Sequence, residues 1–192
     1  MRFVEPIRDK KKIQKIKSFL IEKKKYRDLL LFVVINSALR ISDLLALRVD
    51  LFDAGLSREM FEVVESKTKK KRKIVVVDGV RDVLELYKTA YPSVVKNSQA
   101  FLFFNTRIDP LSKNITRVNG WQLINGWCKK HCDSTKNYGG HTLRKTWYHA
   151  WKGGIDVSLI QYCLNHSNLA ITQRYLGITD DDLGEAMHSL NL

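Results

Sequence analysis

The stretch GGHTLRKTWYHAWKGGIDVSLIQYCLNHSNLAITQRYLGI, from Gly139 to Ile178, sets His141, Arg144 and His166 ahead of a late phenol, Tyr175. His141 and Arg144 are three residues apart, a spacing that puts both side chains on one face of a helix. An imidazole beside a guanidinium suits a phosphate: arginine offers a planar, permanently charged fork and histidine a further donor. The plainer alternative is two neighbouring surface groups. His166 falls in a break between two helical runs, and Tyr175 follows nine residues later. A phenol with an ordinary pKa of ~10 is a poor nucleophile near neutral pH unless assisted. Neighbouring cations would favour its phenolate and stabilise charge developing on a phosphate. A tyrosine used only for packing is the competing reading.

Further charged groups can join this set. In SALRISDLLAL, Arg40 follows a strongly apolar run, where it either serves a site or caps a helix C-terminus. Asp43 can orient Arg40 or another arginine through a charge-assisted bond, or be an exposed acid. In SKTKKKRK, six of the seven residues from Lys67 to Lys73 are basic. Lys69, Lys70, Lys71, Arg72 and Lys73 are expected to meet backbone phosphates or water. One lysine of the run can protonate a leaving oxygen.

The elements that must position these groups are legible in outline. DKKKIQKIKSFLIEKK places Ile13, Ile16, Phe19 and Leu20 at helical spacing, giving a basic amphipathic helix. YRDLLLFVVINSAL predicts a buried helix ending near Asn36–Ser37, after which RISDLLALRVDLF restarts with Leu44, Leu45 and Leu47 inward. MFEVVESK and KRKIVVVD read as two strands joined by a charged turn. GVRDVLELYKTAY is helical, AFLFFN is either a strand or a buried connection, and ITRVNGWQLINGWCKKHC is a helix with glycines as weak points. TLRKTWYHAWKG, DVSLIQYCLN, NLAITQRYLG and DDLGEAM read as further helices, with Gly139–Gly140 and Gly153–Gly154 as punctuation. Trp147, Tyr148 and Trp151 are expected in packing. The layout is mainly α, of the α+β class, with a small antiparallel sheet.

The chain of 192 residues suits one domain with a real core. Thirty-three Lys+Arg against twenty Asp+Glu give a net charge of +13, which favours a polyanionic partner such as nucleic acid. Three cysteines do not make a disulfide framework. Cys128, His131 and Cys132 are close in sequence, but no second ligand pair follows at a zinc-like spacing, so a helix without metal is expected. No apolar run approaches the ~20 residues of a membrane span. The start MRFVEPIRDKKK lacks an apolar signal core, so a cytoplasmic protein is expected.

Arg40 in ALRISDLLAL, Lys67 in SKT, His141 and Arg144 in HTLR, and His166 and Tyr175 in LNHSNLAITQRY occur in the order and spacing of the tyrosine recombinase (phage integrase) family, which this chain resembles over nearly its whole length. The resemblance implies that Tyr175 attacks a DNA phosphodiester to give a 3′-phosphotyrosyl link and a free 5′-hydroxyl. Arg40 and Arg144 would clamp the non-bridging oxygens, His141 would assist proton transfer, Lys67 would protonate the leaving oxygen and His166 would hydrogen-bond the phosphate. Asp43 matches the acidic position that usually follows the first arginine. No metal or nucleotide cofactor is implied. The implied partner is double-stranded DNA carrying a specific recombination site, bound by a homo-tetramer that is a monomer in solution, with accessory DNA-bending proteins.

Two positions depart from the family pattern: SAL precedes Arg40 where a glycine is common, and Leu-Asn-His stands where Leu-Gly-His is usual. About 25 residues precede the first core helix, so residues 1–192 are expected to form a single catalytic domain without a separate core-binding domain. A fragment of a longer integrase is the alternative. After Tyr175, Asp180 to Asp182 can cap a helix bearing Leu183, Ala186 and Met187, which either packs on its own domain or docks on a neighbouring protomer. Competing activities are a type IB topoisomerase-like relaxation of supercoils and regulation by a DNA-binding relic.

Overall fold

The computed structural model describes residues 4, 6–37, 39–51, 60–178 and 180–190. Helix α1 (Lys10–Glu22) starts at Asp9, whose carboxylate accepts from the Lys11 amide at 2.8 Å. It buries Ile16 and Leu20 and leaves its lysines outside, as an amphipathic period requires. Helix α2 (Tyr26–Val34) is covered on every side from Asp28 onward, and a 3-10 turn at Ile35–Ser37 ends it where the sequence predicts. Asp28 can be buried because Arg27 pairs with it at 2.8 Å and also donates to the Phe104 carbonyl. Helix α3 (Ile41–Leu45) then turns Leu44 and Leu45 inward, followed by Leu47.

Strands β1 (Met60–Val64) and β2 (Lys71–Val75) form an antiparallel pair with Val63 opposite Arg72 and Val64 opposite Lys71. Alternation puts Phe61, Val63 and Ile74 on the core side. Helices α4 (Asp78–Ala90) and α5 (Pro92–Val95) follow, α4 packing along α2. AFLFFN is a buried connection, tied by isolated bridges from Phe101 to Arg48 and from Phe104 to Asn114. Helix α6 (Arg117–His131) is capped by Thr116 and passes unbroken through Gly120 and Gly126.

The C-terminal third departs from the expected single helix over TLRKTWYHAWKG. Helix α7 (Gly140–Arg144), a 3-10 turn at Lys145–Trp147 and helix α8 (Tyr148–Lys152) occupy that segment. Thr146 Oγ1 bonds back to the Leu143 carbonyl at the break. Gly140 opens α7 for a steric reason: a Cβ there would lie 3.2 Å from Ile41 of α3. Gly153 and Gly154 end α8, Gly154 at φ +91. Helices α9 (Val157–Leu164), α10 (Leu169–Leu176) and α11 (Asp180–Leu190) complete the described chain.

Two apolar clusters result. The larger gathers α1 to α6 and takes in Leu143 of α7. The smaller holds Ile160, Leu164 and Leu176, with Trp147, Trp151 and Tyr175 packed against it. The segment carrying His141 and Arg144 therefore runs from one core to the other. No helix among the described residues is long and apolar enough to cross a membrane.

Candidate active site

Tyr175 sits on α10, whose start is fixed by Asn168 accepting from the Ile171 amide at 3.0 Å and whose end is Gly177 in the left-handed region. Its hydroxyl is 3.1 Å from His141 Nδ1. The His166 ring meets the phenol edge-on at 4.9 Å between centroids. The Arg144 guanidinium carbon lies 5.7 Å, and Lys145 Nζ 5.8 Å, from the phenol centroid. Four cationic or proton-transferring side chains thus surround one phenol, from α7, the following 3-10 turn and the α9–α10 junction.

Three of the four are held from behind. Arg144, 3% exposed, donates through Nη2 to the Leu164 carbonyl, while its buried Nε has no hydrogen-bond partner among the described residues. His166 Nδ1 pairs with Thr172 Oγ1 at 3.0 Å, and Lys145 Nζ donates to the Val4 carbonyl at 3.0 Å. The N-terminal segment clasps this region further: Ile7 O meets His149 Nε2, and Arg8 donates to Gly177 O while lying over the Tyr148 ring.

Arg40 stands at the entry to α3 and, among the described residues, caps no helix C-terminus. It is ion-paired at 2.7 Å with Glu65, a fully buried carboxylate just beyond β1. Glu65 also accepts from Thr68 at 2.7 Å, Arg72 at 3.2 Å and Asn165 at 2.6 Å. Burial works against its ionisation, but the bonds from Thr68, Arg40 and Asn165 outweigh it and hold the carboxyl at about 2.

The other titratable groups follow from burial among cations. Burial, then Arg144, Arg40 and Arg72, depress His166 to about 4. His141 is likewise lowered, by burial first and then by Arg144, Lys145 and Arg40. Both imidazoles are therefore neutral near pH 7, and the tautomer protonated on Nε2 lets His141 accept the Tyr175 proton at Nδ1. At Tyr175 burial opposes the expected pull of the cations toward phenolate. Arg144 and Arg40 do pull it down, but burial is the larger effect and raises it to about 12. Tyr175 therefore rests as a neutral phenol near pH 7.

The remaining sequence candidates divide. Asp43 is buried and among the described residues pairs with no arginine: it accepts from the Ser66 amide at 2.9 Å and the Ser66 hydroxyl at 2.5 Å, pinning the hairpin turn. Lys67 projects from that turn, exposed, between Ser66 tied to Asp43 and Thr68 tied to Glu65. Lys69, Lys70, Lys71 and Lys73 are exposed, whereas Arg72 turns inward to Glu65. Cys128 is buried and the His131 ring lies tilted against Phe19, 4.7 Å between centroids. Among the described residues no group of three His, Cys, Asp or Glu can hold a metal. A groove of about 1010 Å³ between the hairpin and α9 is lined by Arg72, Trp147, Gln161, Tyr162, Asn165 and His166 among others, so it opens onto the site from the hairpin side.

Glu65, Asn165, Thr172 and Lys145 escaped the sequence reading. Glu65 carried a signal: it continues the inward parity of Phe61 and Val63.

This helical fold with a two-stranded sheet is that of tyrosine recombinase catalytic domains. It matches the crystal structure of XerA recombinase with a TM-score of 0.77 at 20% identity, covering 100% of this chain and 67% of that one. It also matches the Tn1549 transposon integrase in complex with transposon right end DNA with a TM-score of 0.69 at 19% identity, covering 100% of this chain and 68% of that one. The chain belongs to the phage integrase family, whose sequence profile matches residues 8–181. It is 39% identical over 183 residues to the probable integrase/recombinase YoeC of Bacillus subtilis (strain 168), covering 94% of this chain and 93% of that one. It is 30% identical to a tyrosine recombinase of Pseudothermotoga lettingae, covering 93% of this chain but 58% of that protein.

Proposed function

We propose that this protein is a site-specific DNA recombinase that breaks and rejoins double-stranded DNA through Tyr175. The observation that carries the reading is the Tyr175 hydroxyl 3.1 Å from His141 Nδ1, beside a buried Arg144 whose Nε lacks a partner among the described residues. The Tyr175 oxygen forms a bond to phosphorus while the bond from phosphorus to the 5′-oxygen breaks. His141 takes the phenolic proton, and Lys67 gives one to the leaving oxygen. Arg40 and Arg144 clamp the non-bridging oxygens and His166 adds a hydrogen bond. A 3′-phosphotyrosyl link keeps the energy of the phosphodiester, so rejoining calls for neither metal nor nucleotide. Residues 1–192 act as one catalytic unit. On DNA the unit works as a homo-tetramer in the cytoplasm, with accessory DNA-bending proteins.

The test is a plasmid carrying two copies of the DNA that flanks the gene, incubated with the protein and a chelator. Recombinant circles or inverted segments are expected. Relaxed plasmid with no recombinant product would replace this reading with a topoisomerase-like one.

A further inference from the structure

We propose that Glu65 is a positioning residue that holds Arg40, the Lys67 turn and the His166 loop in one register around the scissile phosphate. The inference rests on the recombinase reading, and goes beyond it by assigning a carboxylate to a site otherwise described by its cations.

Glu65 is fully buried and makes contacts to three separate segments. Its Oε2 is ion-paired at 2.7 Å with Arg40 from the entry to α3 and accepts from Thr68 at 2.7 Å in the hairpin turn and from Asn165 at 2.6 Å at the end of α9. Its Oε1 receives Arg72 of β2 at 3.2 Å. Two guanidiniums thus share one counter-charge and can stand side by side before any phosphate arrives.

The Asn165 contact explains the departure at Leu-Asn-His. Asn165 sits in the left-handed region at φ 53 and ψ 46, where glycine is the unstrained residue and asparagine is tolerated. Its amide bonds to Glu65, and the next residue is His166, whose ring lies against Tyr175. The asparagine therefore ties the His166 loop to Arg40 through one carboxylate, a link that glycine cannot make. On the hairpin side, Thr68 on Glu65 and Ser66 on Asp43 fix the backbone on both sides of Lys67.

A positioning role and a merely structural one differ in what they move. Glu65→Gln removes a negative charge from a basic site, so it strengthens attraction for DNA while it releases Arg40 and Arg72. Asn165→Gly keeps the carboxylate and the backbone conformation and cuts only the tether. Each is compared with wild type for affinity toward a short fluorescein-labelled duplex, for thermal melting, and for the rate of covalent adduct formation on nicked duplexes from the gene's flanks. We expect Glu65→Gln to bind at least as tightly as wild type yet form adduct ~100-fold more slowly, the scale of a misplaced reacting group. Asn165→Gly should melt as wild type does and slow ~10-fold. Adduct formation at the wild-type rate by both variants would overturn the proposal, as would binding, melting and rate falling together in both. Absence of adduct with wild type would instead overturn the recombinase reading on which the proposal stands.

Discussion

Acid should loosen this protein through His166 before it reaches any carboxylate. The ring is half-buried among Arg144, Arg40 and Arg72 and holds a pKa of about 4, against an ordinary value of 6.5. The unfolded chain takes up its proton near 6.5 and the folded chain near 4, so between those values the unfolded state binds more protons. The contribution is full above pH 6.5 and is lost as pH falls toward 4. At about pH 5 the two values amount to about 2 kcal/mol, and partial access of water to the ring reduces this to about 1–2 kcal/mol. Glu65, held at about 2 instead of 4.5, keeps its own contribution until the pH drops below 4.5. His141 and His131 are depressed too, so wild type loses more than this one ring explains. The assay is urea unfolding of wild type and His166→Asn at about pH 7 and about pH 5, with the variant losing about 1–2 kcal/mol less. Equal losses in the two proteins would refute the claim that cations and burial hold His166 neutral.

Other expectations follow from the same geometry. Arg144→Ala should leave the fold intact, with a stability change of about 1–2 kcal/mol in urea unfolding. Its cleavage should fall about 100- to 1000-fold, and normal cleavage would remove Arg144 from the site. Asp43→Ala leaves the Ser66 amide without its acceptor, at a cost of about 1–3 kcal/mol. Faster amide exchange at Ser66–Lys69 than in wild type is the check, and unchanged exchange would show that Asp43 does not pin the turn. DNA affinity should fall steeply with salt, by about 10³–10⁵ between roughly 50 and 200 mM if six to ten phosphates are contacted. A flat response in a fluorescence titration would contradict the electrostatic role of the lysine run.

The fold was legible where periodicity is strong and local. The i, i+3, i+4 pattern of α1, the apolar run of α2 and the alternation of β1 and β2 each match what the chain forms. The break inside TLRKTWYHAWKG was not legible, because it depends on Thr146 bonding back to Leu143 and on α7 and α8 belonging to different cores. Gly139–Gly140 read as punctuation, yet Gly140 serves close packing on Ile41, a residue distant in sequence. Of the site, the cations and the phenol were visible as residue types, and His141, Arg144, His166 and Tyr175 do come together. What holds them was hidden. Asp43 is three residues from Arg40 but faces Ser66, and Arg40 instead finds Glu65 across the fold. The pull of cations on Tyr175 was legible, whereas the larger and opposite effect of burial was not, since charge is readable in a sequence and desolvation is not. On the C-terminal helix, Asp182 and Glu185 pair with Lys152 of the same chain, which fits packing on its own domain. The side chains of Leu183 and Ala186 lie outside the described residues, whereas Met187 is exposed.

The central claim is that Tyr175 is the nucleophile, and covalent trapping tests it most directly. Nicked duplexes from the DNA flanking the gene are incubated with wild type and with Tyr175→Phe in the presence of a chelator, then denatured and mapped by peptide mass. The account predicts a denaturation-resistant protein–DNA adduct at Tyr175 with wild type and none with the phenylalanine variant. An adduct that persists in Tyr175→Phe, or that maps to another residue, would contradict it.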